Sequence, residues 1–136
     1  MEHPNILNNT SKTLIETNLT NTMKTATPGG YARHRAFRPD GTPQHVILTT
    51  IPPLGLSTTD PRETLRTALD NDIRANYTQY GADEIVDLDT AIADTTNHNQ
   101  INPTYLTGGQ PDNTYYTQLA HTLADAVDTF PPTATL

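Results

Sequence analysis

Apolar residues recur at helical spacing in three stretches of the chain and run together in two shorter ones. Ile15, Leu19 and Met23 form the first stripe, which predicts a helix capped by Ser11 and running to about Ala26. Its many Thr and Asn are poor helix formers, so this helix needs tertiary support. Pro28-Gly29-Gly30 ends it. Residues 31–44 read as a loop with a turn at Pro39-Asp40-Gly41. His45–Ile51 is apolar and β-branched, the composition of a buried strand, and Pro52-Pro53 stops it. Asp60, Pro61 and Glu63 then spell a helix start, with Asp60 as N-cap and Glu63 completing a capping box. Leu65, Leu69, Ile73 and Tyr77 form its apolar stripe, and Gly81 stands at its C-cap.

A second short strand is predicted over Glu84–Leu88, centred on Ile85 and Val86. Residues 89–106 read mostly as loop, with one helical turn near Thr90–Ala93. Gly108-Gly109 is a turn. Asp112 caps a last helix over about Asn113–Thr129, with Tyr116, Leu119, Ala120, Leu123 and Val127 as its expected inner face. Phe130-Pro131-Pro132 closes it. The order strand, helix, strand implies a right-handed parallel crossover. The fold class is therefore α/β with a short parallel sheet. One domain over residues 11–130 lies between a flexible N-terminus, 1–10, and a tail, 131–136. Two strands make no stable sheet alone, and a parallel pair needs cover on both faces. Further strands must come from the loops, from a partner chain, or from a longer protein of which this is part.

Composition narrows the chemistry. At 136 residues the chain is one small domain. There is no Cys, which excludes disulfides and thiolate nucleophiles and leaves the redox compartment undetermined. The residues after Met1 do not read as a secretory leader, and no apolar run approaches the ~18 residues of a membrane span. Localisation is left open. The net charge is -7, and from Asp83 onward there is no Lys or Arg. An acidic half of that kind repels phosphate backbones, so nucleic acid is not an expected partner. The basic cluster Arg33-His34-Arg35 with Arg38 reads as a solvated loop. Asp87, Asp89 and Asp94 follow the second strand; three carboxylates can hold a hard cation, but without an EF-hand spacing the reading is a solvated acidic loop and no metal. No Gly-rich loop joins a strand to a helix, so no phosphate cradle or cofactor is expected.

Four segments taken in order resemble the C-terminal half of an SGNH/GDSL-type esterase. They are Val46-Ile47-Leu48-Thr49-Thr50-Ile51-Pro52-Pro53, the helix carrying Arg66, Asn71 and Ile73-Arg74, the strand Ile85-Val86-Asp87-Leu88, and Pro111-Asp112-Asn113-Thr114-Tyr115-Tyr116 leading to Leu119-Ala120. The resemblance implies a three-layer α/β/α fold with a parallel sheet, of which this chain is the last two strands and last three helices. It also implies ester hydrolysis by a Ser in a Gly-Asp-Ser block, with an Asp three residues before a His. This chain departs from that pattern. No Gly-Asp-Ser block is present, the family's His position is Gln110 and its Asp position is Thr107. An amide takes no proton near neutral pH, and a hydroxyl cannot stabilise an imidazolium.

The remaining candidates are weak. Ser11 reads as a cap, and Ser57 lacks the Gly-x-Ser-x-Gly spacing of a nucleophile elbow. His121 reads as a helix-surface or packed residue. The expectation is a hydrolase-like C-terminal portion, inactive alone, whose partner is a missing N-terminal half or a second copy. The alternative is a non-catalytic module binding carbohydrate or protein through Gln110, Asn113, Tyr115 and Tyr116.

Overall fold

The computed structural model describes residues 10–23 and 45–129. The predicted Pro28-Gly29-Gly30 helix end, the basic cluster at Arg33–Arg38, the N-terminus and the Phe130-Pro131-Pro132 tail lie outside the described residues. Helix α1 spans Lys12–Met23, strand β1 Ile47–Thr49, helix α2 Pro61–Tyr80, strand β2 Glu84–Val86 and helix α3 Leu88–Ile92. A 3-10 turn, Pro103–Tyr105, precedes the strands β3, Leu106–Thr107, and β4, Gln110–Pro111, and helix α4, Asn113–Asp128, ends the described chain. This is a mixed α/β architecture. No described helix is long and apolar enough to cross a membrane.

β1 and β2 pair in parallel, with Ile47 opposite Glu84, Leu48 opposite Ile85 and Thr49 opposite Val86. The long α2 makes the crossover that a parallel pair requires. Laterally paired residues share a face, so Ile47 and Val86 lie on one side and Leu48 and Ile85 on the other. Val86, Leu88 and Ala126 form the core on the α4 side, with Ile47 and Leu119 packed against it. On the other side Ile15, Ile51 and Leu69 bring α1 and α2 together, with Leu54 and Leu65 at the margin. Helices thus cover both faces, as a parallel sheet demands.

The helix signals act as read at most ends. The Ser11 hydroxyl accepts from the Leu14 N–H. The Asp60 carboxylate caps α2 by accepting from the Arg62 N–H, with Pro61 in the first turn. The capping box is not completed. The Asp60 N–H donates to the Ser57 carbonyl instead, and Glu63 turns inward to Arg66. Gly81 closes α2 at φ +96°, a left-handed conformation that favours glycine. The strands are shorter than predicted, and the helical turn expected at Thr90–Ala93 is a short helix starting at Leu88 and capped by Asp87.

The expected inner face of α4 is the main correction. Tyr116 is 61% exposed, Val127 52% and Leu123 37%, and Ala120 is also exposed. Only one flank of the stripe, Leu119 with Ala126, meets the sheet. The physical reason is width. Two short strands offer less surface than the apolar stripe of α4 covers, and no other described element lies over its remainder.

Candidate functional site: the strand ends and the β3–β4 hairpin

Ligands of α/β sheets bind beyond the carboxyl ends of the strands. Here those ends are tied to α2 by charges. Arg66 is 2% exposed, with Glu63 at 5% and Asp70 at 0%. The Arg66 guanidinium donates through Nη2 to Glu63 Oε1 at 2.6 Å. Through Nη1 it donates to Asp70 Oδ2 at 3.0 Å, to Asp89 Oδ1 at 2.6 Å and to the Ile51 carbonyl at 2.9 Å. Asp70 in turn accepts from the Ile51 N–H at 2.8 Å. The last residue leaving β1 is therefore held at both backbone groups by side chains of α2.

Arg74, about two turns further along α2, ties down the end of β2. Its Nε and Nη2 grip both oxygens of Asp87 at 2.9 Å, and Nη2 reaches Asp89 Oδ2 at 2.8 Å. Thr50 links the strands, donating its hydroxyl to Asp87 Oδ1 and accepting the Asp89 N–H, both at 2.9 Å. Asp87 also caps α3 through the Thr90 N–H.

Two guanidiniums thus meet four carboxyl groups, and the imbalance falls on Asp70. Burial, reinforced by the charge of Asp89, pushes its pKa up to about 7 against the stabilising Ile51 N–H. A carboxyl raised in the folded state contributes stability that is full at low pH and lost as pH rises through about 7. Asp87 behaves oppositely. Partial burial raises it, but Arg74 and the Thr90 and Thr50 hydrogen bonds outweigh that and hold it well below the carboxylate range. For Arg66, burial opposes the charge, yet the bonds to Glu63 and Asp89 keep its pKa above the ordinary value.

This corrects the reading of Asp87, Asp89 and Asp94. The first two are neither a solvated acidic loop nor a cation site; they are the anions of the arginine network. Asp94 is elsewhere, accepting the N–H groups of Thr96 and Asn97. A cleft of about 770 Å³ adjoins the network, with Arg66, Arg74 and Asp89 on one side and Asn97, His98 and Asn99 on the other. Both guanidiniums reach it already engaged by carboxylates of the chain, so they hold the fold together and offer little to an anion.

The second place is the hairpin. Gly108 and Gly109, at φ +61° and +78°, make the two-residue turn joining β3 to β4. Thr107 and Gln110 are direct cross-strand partners in it, so their side chains leave the same face. The Thr107 hydroxyl donates to Asp112 Oδ2 at 2.8 Å, and Asp112 caps α4 through the Thr114 N–H. Gln110 and Asn113 are exposed. Tyr115 and Tyr116 meet edge to face, ring centroids 5.3 Å apart. Tyr115 turns toward a groove along β1, whereas Tyr116 faces solvent, so the pair does not form one shared platform. Ser57 is exposed, and its hydroxyl accepts the Thr59 N–H in the turn before α2. His121 is exposed on α4.

No protein-family model matches the chain, and no curated protein matches it. The residues that reasoning from sequence missed are Arg66 and Arg74 as partners of Asp70, Asp87 and Asp89. Local spacing did not mark them, because Asp87 and Asp89 lie 13 to 23 residues from the arginines they meet.

Proposed function

We propose that this chain is the C-terminal portion of an SGNH/GDSL-type hydrolase fold that supplies its last strands and helices and no reaction chemistry of its own. The supporting observation is the hairpin. Thr107 and Gln110 face each other across a two-residue turn, the geometry in which an Asp three residues before a His brings carboxylate to imidazole. The pairing of these two positions supports the reading, and neither a hydroxyl nor an amide supplies the chemistry of an Asp and a His. The arginine network belongs to the same reading, since it fixes the strand ends that such a site is built on.

Restoring the pair tests the reading. With Gln110→His alone, the introduced imidazole is expected to titrate near its ordinary value of about 6.5. With Thr107→Asp added, the adjacent carboxylate favours the charged form and raises that pKa by about half a unit or more. An NMR titration of the imidazole carbons reads both. Equal pKa values in the two variants would contradict the proposed geometry.

Hydrolysis is the second check. The native chain with p-nitrophenyl acetate is expected to show no turnover that depends on Ser57. A rate that Ser57→Ala abolishes would return the chain to the class of active esterases.

A further inference from the structure

Thr64, Thr67, Asn71 and Arg74 follow one another along α2 at intervals of three and four residues, so they share one face of the helix. That face borders the cleft of about 770 Å³, with Asn97 and His98 on its other side. The loop carrying Asn97 and His98 has its backbone tied down. The Asp94 carboxylate accepts the Thr96 and Asn97 N–H groups, and the Asn99 carbonyl accepts the Gly55 N–H at 3.2 Å. Met23 packs against Gly81, Val46 bonds to Asp83 and Thr129 to Glu84, so the described chain on either side of 24–44, and before 130–136, lies toward the far end of α2.

The arginines lining the cleft keep donors in hand. A guanidinium has five N–H groups. Arg66 spends Nε on Glu63 and Nη1 on Ile51, Asp70 and Asp89, but its Nη2 reaches only Glu63 Oε1. One Nη2 hydrogen is left with no acceptor among the described residues, on a side chain 3% exposed. Arg74 spends Nε and Nη2 on Asp87 and Asp89, and its Nη1 meets only Asn71 Oδ1 at 3.3 Å. A buried donor without an acceptor is costly, so Arg66 calls for an oxygen from the cleft. That oxygen need not be charged. Arg66 and Arg74 are offset in the lining by Glu63 and Asp89.

We infer that this cleft binds a neutral saccharide. Sugar hydroxyls accept from the spare N–H groups, and they both give to and accept from the Thr hydroxyls and Asn amides of the walls. A peptide fits the lining less well, because its side chains need apolar seats and Ala68 is the one apolar residue there. The volume lies within the ordinary range for small-molecule sites. The inference is independent of the hydrolase reading and concerns a different place from the β3–β4 hairpin.

The test titrates the full chain, labelled with nitrogen-15, with maltose, cellobiose and lactose, and with glucuronate as an anionic control. Each probe is taken to about 50 mM, which saturates a site of millimolar affinity. The expected result is a saturable shift of the Arg66 Nε–H and the Asn97 side-chain amide with at least one disaccharide, and a weaker response to glucuronate. Thr67→Val keeps the shape of an exposed residue and removes its hydroxyl, and Asn97→Ala removes an exposed amide. Each is expected to weaken binding about fivefold, the loss of one hydrogen bond. No saturable shift with any disaccharide would mean that water alone fills the cleft and would overturn the inference. So would tighter binding of glucuronate, or unchanged affinity in both variants.

Discussion

Replacing Arg66 by Met is expected to lower the unfolding free energy by about 3–5 kcal/mol, the cost of removing one partner from a buried ion cluster. The site is closed to solvent, with side-chain exposures of 3% for Arg66, 7% for Glu63 and 1% for Asp70. Without the guanidinium, Glu63 and Asp70 keep charge or take up protons in a place with no compensating cation, and the Ile51 carbonyl loses its donor. Asp89 keeps Arg74. A domain of this size has about 5–15 kcal/mol in total, so this loss is a large fraction of its margin. Adding Glu63→Met and Asp70→Leu to Arg66→Met is expected to recover more than half of it, because an apolar replacement of a whole buried cluster is often neutral. Urea unfolding followed by circular dichroism measures all three proteins. A loss below about 1 kcal/mol for Arg66→Met would mean that water screens these pairs.

The second large effect is at Asp87, whose one carboxylate serves Arg74, Thr50 and the start of α3. Asp87→Ala is expected to cost about 2–3 kcal/mol, combining a lost N-cap with a half-exposed ion pair discounted for solvent. Asp87→Asn keeps an oxygen for the Thr90 N–H and the Thr50 hydroxyl and is expected to cost less. The pH profile separates the charge from the cap. Because Asp87 lies below its unfolded value in the folded state, its contribution is present above about pH 4 and is lost as pH falls further. Wild-type stability is therefore expected to fall more steeply below pH 4 than that of Asp87→Asn. Parallel profiles would remove Asp87 from the acid response.

What could be read from the sequence was what local chemistry decides. Asp60-Pro61 marked the start of α2, Asp112 that of α4, and Gly108-Gly109 a turn, because each satisfies a backbone demand within a few residues; that two short strands flank this turn was not read. The strand–helix–strand order fixed the parallel pairing. The interior of α2 was misread for a physical reason. Hydrophobic periodicity assigns charge to the outside, yet Glu63, Arg66 and Asp70 stand buried beside Leu69 and Ile73. Their burial depends on Asp89 and on the backbone of Ile51, which are distant in sequence. The α4 stripe failed in the opposite sense. Tyr116, Leu123 and Val127 form an amphipathic pattern, but a pattern states that a face is apolar, not what covers it.

Of the predicted binding residues, the hairpin pairing of Thr107 with Gln110 was implicit in their spacing across two glycines. The parting of Tyr115 from Tyr116 was not, because it depends on how α4 is turned against the two strands. Among the described residues, neither the exposed α4 stripe nor the outer edge of β1 has a strand beside it, and a wider sheet would cover both.

The most direct measurement is amide hydrogen exchange along β1 in the isolated chain. If the sheet ends at β1, protection alternates: Leu48 and Thr50 exchange about 100-fold more slowly than Ile47 and Thr49. Slow exchange at all four amides would show that the edge is already paired, and would contradict a chain that offers its sheet for completion.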